Sequence, residues 1–309
     1  MRTYWQTAPH MASLSEWQSN CWIQVTNPTD SDVDYLEKEL GIPDSFLPVI
    51  SDIDERSRVD GENGWTLIIL RIPYEKKERS RSPYITLPLG IIMKGDICIT
   101  VCYYATNMMD DFILHYQKKE VISIDPIGMV FRFFLSSAVW YLELLEQIKL
   151  RIGQAKHELD VKDVDNKDII SLSRLQDCLT YFMTSMRGNE TLLAKLRFKL
   201  KVREKDKELI EDTIIEMQQA RESAVIYNNI LDGTMDTYAS IINNNMNTTV
   251  RTLTAISIIP MFPTLVASIY GMNVPNGWES YKLGFVVIVV VSVVVTVLLF
   301  WFFRHKHWI

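Results

Sequence analysis

LTAISIIPMFPTLVASIYGMN at 253–273 and LGFVVIVVVSVVVTVLLFWFF at 283–303 are the stretches that decide the fold. The second is uncharged for 21 residues, and at 1.5 Å per residue a helix of that length covers roughly 30 Å, the hydrocarbon thickness of a bilayer. It runs into Arg304-His305-Lys306-His307-Trp308, a cationic and aromatic anchor suited to headgroup level. The apolar part of the first, 253–270, is shorter, and with Thr252 just before it carries Thr254, Ser257, Pro260, Pro263, Thr264 and Ser268, which a lipid-facing helix would not select. Two apolar spans joined by a tight loop indicate a membrane protein, and the polar rim at Tyr270-Gly271-Met272-Asn273 is where a solute would be met.

Basic residues set the orientation. Arg251 precedes the first span and Arg304 and Lys306 follow the second, while the connecting loop carries Glu279 and Lys282. The excess of Lys and Arg on one side predicts both termini in the cytoplasm and the loop outside, in the plasma membrane. Everything before the first span is then cytoplasmic. Four cysteines without a Cys-x-x-Cys agree with a reducing compartment. Cys98 and Cys102 share one face of an expected strand and read as core packing, as do the isolated Cys21 and Cys178.

Upstream, short β-like runs at 21–25, 65–72, 84–92 and 97–103 are separated by turn residues at Asn27-Pro28, Gly61-Glu62-Asn63-Gly64 and Lys94-Gly95-Asp96. A short helix is expected over 31–40. These make 1–124 a cytoplasmic α/β domain. From 125 the apolar spacing becomes three and four, giving a cytoplasmic helical region over 125–202, with a possible break at Arg187-Gly188-Asn189-Glu190. A stalk helix follows over 203–252, leading into transmembrane helix 1 at 253–270, an external loop at 271–282, transmembrane helix 2 at 283–303 and a basic tail at 304–309. A continuous helix from 204 to 270 would measure about 100 Å, longer than a domain of this size, so it is expected to project from cytoplasm into membrane. Its apolar stripe implies neighbouring helices.

Along the first span Asn247, Val250, Thr254, Ser257, Met261, Thr264 and Ser268 recur at three and four and share one face. Hydroxyls on one stripe suit a narrow wetted bore, and equally suit close helix packing. The loop favours the bore. Two spans cannot enclose a conduit, so a pore needs a ring of copies, each presenting Asn273 at the outer mouth. Neutral amide and carbonyl oxygens can hold a hydrated cation without stripping it, and Mg²⁺, which dehydrates reluctantly and keeps its waters, fits such a ring.

Tyr270-Gly271-Met272-Asn273 after a Pro-containing span, then a second span and a basic-Trp tail, resembles the CorA family of divalent-cation channels. Asp236-Thr237-Tyr238, then Asn247 and Leu253-Thr254, is similar to the family's lower pore in order and spacing. Arg56-Ser57-Arg58-Val59-Asp60 followed by Leu67-Ile68-Ile69-Leu70-Arg71 resembles its N-terminal domain. The resemblance implies a funnel-shaped homopentamer: an α/β N-terminal cytoplasmic domain, a long stalk helix continuous with a pore helix, and a second transmembrane helix outside it. Asn273 would be the selectivity residue, held by Gly271 and Met272. Asn247, Val250, Leu253, Thr254, Ser257, Met261, Thr264 and Ser268 would line the pore, with Val250, Leu253 and Met261 forming a constriction that closes by dewetting.

The resemblance also implies a regulatory metal site between cytoplasmic domains. Its matching positions are Glu75, Asp212 and the neighbouring Glu211, residues that equally suit a solvated acidic face. The loop after Asn273 reads Val274-Pro275-Asn276-Gly277-Trp278-Glu279-Ser280 where many members carry Met-Pro-Glu-Leu; Glu279 is the candidate acidic entrance residue. The expected function is Mg²⁺ uptake, with Co²⁺ or Ni²⁺ as secondary substrates, driven by membrane potential and gated by cytoplasmic cation. A Zn²⁺ transporter resembling ZntB has the same tripeptide and is the alternative; a membrane-anchored scaffold or signalling protein is the third reading. The expected partners are copies of the chain, membrane lipid and divalent cations. No nucleic acid, organic cofactor or enzymatic activity is expected, and no phosphate-binding Gly loop, Gly-x-Ser-x-Gly or His-Glu-x-x-His occurs.

Overall fold

A computed structural model describes residues 1–7, 11–76, 82–118, 125–159, 166–200, 202–272 and 283–308. The chain divides into two compact units, Met1–Met235 and Asp236–Ile309.

The first unit opens with β1 (Arg2–Gln6), β2 (Ala12–Leu14) and β3 (Cys21–Thr26). Helix α1 (Asp30–Asp34) passes directly into a π-turn over Tyr35–Glu39, and α2 (Phe46–Ser51) follows. Then come β4 (Arg58–Glu62), β5 (Trp65–Glu75), β6 (Tyr84–Lys94) and β7 (Ile97–Cys102). Among the described residues these strands form one sheet in the order β2-β1-β3-β7-β6-β5-β4. The β3–β7 pair is parallel, with Ile23 opposite Ile99, and the other pairs are antiparallel.

Both faces of the sheet are covered, which is why its central strands read as apolar runs rather than alternating ones. Ile23, Val25, Leu67, Ile69, Ile99 and Val101 pack with Leu36, Phe46, Leu47 and Ile50 from the α1–α2 segment. A Cβ on Gly90 would stand 2.3 Å from Ile50 Cδ1, so the bare backbone there is what lets α2 lie on the sheet. The alternate residues face the other way. Trp22 meets Phe112 of α3 (Asn107–Lys118) and Phe133 of α4 (Pro126–Leu159), with ring centroids 5.8 and 5.5 Å apart. Tyr84 and Tyr141 both contact Phe182 of α5 (Asn166–Lys199).

The four expected strands are present, while β1, β2 and β4 carried no apolar run to betray them. β4 is an edge strand bearing Arg58, Asp60 and Glu62, charges that discourage pairing with another sheet. It joins β5 through Asn63 (φ 53°) and Gly64 (φ 80°), the left-handed pair of a two-residue hairpin turn.

The break expected at Arg187-Gly188-Asn189-Glu190 does not occur: α5 continues through it. Asn189 is fully buried and acts as a strand partner for Arg71. Its Oδ1 accepts the Arg71 amide at 3.0 Å and its Nδ2 donates to the Arg71 carbonyl at 2.7 Å. Ser57 Oγ also donates to Asn189 Oδ1, at 2.7 Å. Gly188 permits that approach, since a Cβ there would lie 3.1 Å from Ser57 Oγ. The Arg71 side chain is itself buried and donates to the carbonyls of Ile53, Glu55 and Thr86 and to Thr86 Oγ1. Burial lowers its pKa, while the Tyr141 hydroxyl and the carboxylates at Asp54, Asp52 and Glu55 oppose that shift.

A 3-10 turn at Glu204–Asp206 leads into α6 (Lys207–Tyr270), and α7 (Gly284–His305) completes the fold. Two ion pairs secure the segment before α6: Arg132–Asp206 at 3.8 Å and Arg203–Asp125 at 3.4 Å. Among the described residues α4, α6 and α7 are long and apolar enough to cross a membrane by length and composition. Burial separates them. The apolar window of α4 is 56% buried against the rest of its unit, whereas the windows of α6 and α7 are 6% and 0% buried. The α4 helix is therefore a core helix.

Candidate ion pathway

The second unit consists of α6 from Asp236 onward and α7. Its inner face is set by small and half-buried residues of α6: Thr252, fully buried Ala255, Pro263 and Val266. The groove between the helices is lined by Pro263, Ala267 and Tyr270 on one side and Ile288, Ser292 and Thr296 on the other.

The stripe read from the sequence lies on the far side of α6 from this contact. Asn247, Val250, Leu253, Thr254, Ser257, Met261, Thr264 and Ser268 are all exposed. At about 100° per residue they cluster on the surface diametrically opposite Ala255 and Val266. Among the described residues of one chain nothing covers them. Leu253 and Met261, 63% and 64% exposed, are large apolar groups beyond what a lone soluble helix would present. The hydroxyls turn inward to their own helix: Thr254 donates to Val250 O at 2.7 Å, Ser257 to Leu253 O at 2.8 Å and Thr264 to Pro260 O at 2.8 Å. Pro260 and Pro263 lack N–H groups, so the Ile256 and Ile259 carbonyls lose their helical donors inside an apolar stretch.

The C-terminal end of α6 has no basic residue in its last turn, so the partial negative charge of its carbonyls is unopposed within that turn. Gly271 N still bonds Ala267 O at 2.9 Å and Met272 N bonds Ile269 O at 3.3 Å, which places the first two members of the tripeptide as a direct extension of the helix end. Asn273 and Glu279 lie outside the described residues.

In the first unit Glu75 ends β5, half-buried and opposite Tyr84, while Glu211 and Asp212 are exposed near the start of α6. Among the described residues of one chain, no three His, Cys, Asp or Glu side chains converge to hold a metal ion. All four cysteines are free and buried, and burial pushes the Cys98 thiol up to about 12 and the Cys102 thiol up to about 11, so neither offers a thiolate near neutrality.

The CorA-like Mg²⁺ transporter protein family matches residues 17–305. The chain belongs to that family. The cobalt/magnesium transport protein CorA of Methanocaldococcus jannaschii is 25% identical over 298 residues, covering 93% of this chain and 91% of that protein. The magnesium transport protein CorA of Helicobacter pylori is 22% identical over 298 residues, covering 93% and 90%. Among solved structures, the complete CorA magnesium transporter from Methanocaldococcus jannaschii superposes with a TM-score of 0.85 at 22% identity, covering 100% of this chain and 99% of that one. The ZntB cytoplasmic domain from Vibrio parahaemolyticus gives 0.62 at 11% identity, covering 78% and 98%. These likenesses establish the fold: a soluble N-terminal α/β domain, a long helix and a second, apolar helix.

Two features escaped the sequence reading. The Arg71–Asn189 network was hidden by a Gly-Asn pair that imitates a helix break. Its signal was register, because Phe182, Met186, Asn189, Leu193 and Leu196 form one buried stripe at three and four. The second is the hydrogen bond from Thr252 Oγ1 to the Trp308 carbonyl at 2.8 Å, which no local pattern announces.

Proposed function

We propose that this chain is a divalent-cation channel that assembles as a homopentamer and carries Mg²⁺ into the cell, with Co²⁺ or Ni²⁺ as secondary substrates. The observation that carries the reading is the eight-residue stripe of α6, wholly exposed and turned away from α7 within an apolar helix. A ring of copies covers that face by making it the wall of a bore. In this reading 253–270 is the pore-lining span, 283–303 the outer span, 304–309 a cytoplasmic tail, and Gly271, Met272 and Asn273 stand at the outer mouth with Glu279 beyond. A divalent ion gains about 4–5 kcal/mol per 100 mV of inside-negative potential, so entry needs no second energy source.

The deciding experiment measures flux ion by ion in liposomes holding the purified protein, with and without a pH gradient. Mg²⁺ influx that follows the potential and ignores the pH gradient is the expected result. Zn²⁺ flux that requires the gradient would transfer the chain to the zinc-transporting reading. A dimer in detergent with no flux would leave a scaffold.

Regulation by cytoplasmic Mg²⁺ is assigned to Glu75, Glu211 and Asp212, carboxylates on the surface of the first unit. They repel across a subunit interface when bare and are bridged when the ion binds. Mg²⁺ is then expected to protect the wild-type cytoplasmic domain from protease, and Asp212→Lys to reduce that protection. Identical digestion of wild type with and without Mg²⁺ would remove the assignment.

A further inference from the structure

At one end of the second unit the two apolar helices are tied by a clasp. Past α7, His307 takes a left-handed φ of 55°. The chain folds back, so that the amides of Lys306, His307 and Trp308 bond the carbonyls of Phe302, Arg304 and Phe303 at 3.0, 3.1 and 3.0 Å. The Trp308 ring rests 5.5 Å from that of Phe303, and the Trp308 carbonyl accepts the Thr252 hydroxyl at 2.8 Å. Arg251 adjoins Thr252 in sequence and Lys306 lies two residues before Trp308, so this hydrogen bond sets Arg251 and the Arg304–Lys306 tail at the same end of the helix pair. All three cations are exposed, and none pairs with a carboxylate among the described residues. Among the described residues of this unit the only side-chain carboxylate is Asp236, about four helical turns before Arg251.

From this juxtaposition we infer that the clasp is a binding site for the phosphate of an anionic phospholipid, held between Arg251 of α6 and the Arg304–Lys306 tail of α7. The inference rests on reading these helices as membrane spans. Three cations at headgroup level, without a carboxylate partner among the described residues, attract a phosphodiester, and guanidinium forks match its oxygens. The apolar surface that adjoins the charges favours a lipid over a free anion. Trp301 and Phe302, 65% and 50% exposed, continue from the cationic rim along α7 and give acyl chains a surface to follow. The Thr252–Trp308 hydrogen bond fixes the spacing of the cations, so the site depends on the clasp as well as on charge.

The test uses the full-length protein in vesicles of phosphatidylcholine mixed with phosphatidylglycerol, extracted and examined for retained lipid by native mass spectrometry. Wild type is expected to retain phosphatidylglycerol over phosphatidylcholine. Arg251→Gln and Lys306→Gln each lower that retention about fivefold. Thr252→Val lowers it with every charge in place, while Thr252→Ser, which keeps the donor, retains it. Circular dichroism and size exclusion establish that each variant is folded and assembled. Equal retention of the two lipids, unchanged retention in the charge variants or in Thr252→Val, or displacement by inorganic phosphate overturns the inference. Failure of the chain to float with vesicles of either composition would instead count against the membrane reading itself.

Discussion

Asn273→Ala is expected to abolish Mg²⁺ influx while leaving the assembled protein intact. A hydrated Mg²⁺ presents water hydrogens, and what it needs at an entrance is a set of acceptors that do not compete for its inner shell. In the proposed channel the side-chain amide of Asn273, three residues past α6 in sequence, offers that neutral oxygen, and the carbonyl end of α6 already carries partial negative charge. Alanine removes that oxygen from every copy at once. A hydrogen bond to a charged group contributes about 1.5–3 kcal/mol, so losing even one per entering ion reduces flux by roughly tenfold to a hundredfold, and losing a ring of them reduces it further. The measurement pairs liposome influx with size exclusion of the same preparation. Wild-type influx through an intact Asn273→Ala oligomer would remove Asn273 from the selectivity role.

The largest expected loss of stability belongs to the first unit, at Asn189→Leu. Leucine keeps the forked branching of asparagine at Cγ, with bulkier tips, but leaves the Arg71 amide and carbonyl without the partner each has now. The Tyr141 hydroxyl, 3.1 Å from that carbonyl, compensates only part of the deficit. Each buried backbone group left unpaired costs about 1–3 kcal/mol, so the variant is expected to lose roughly 2–6 kcal/mol. Denaturant unfolding followed by tryptophan fluorescence measures the change, because Trp22 and Trp65 are buried in the same unit. The opposite sign is the informative failure. Were Asn189 merely a poor helix former in an exposed turn, leucine would strengthen α5.

Legibility followed the range of the interactions. The two apolar spans were readable because their length is imposed by a fixed physical thickness. The stripe from Asn247 to Ser268 was readable because helical periodicity alone decides which residues share a face. The central strands announced themselves by apolar runs, but β1, paired between β2 and β3, is half-buried throughout and β4 is a charged edge strand, so only their pairing partners define them. Asn189 was read as a breaker because its partner, Arg71, stands 118 residues away. The Thr252–Trp308 clasp joins residues 56 apart and likewise has no local signature. Carboxylates assigned between subunits cannot be brought together by any property of one chain.

The back-bonded hydroxyls of α6 have a consequence for the sign of the solute. Thr254, Ser257 and Thr264 each commit their single proton to a carbonyl one turn earlier. Only oxygen lone pairs then remain to face outward. In the proposed pore, chloride or phosphate would meet no hydroxyl hydrogen at these three positions, while the waters of a hydrated cation would find acceptors there. In that reading these three turns favour cations over anions without bearing any charge of their own, and they do so at any pH at which the helix is intact.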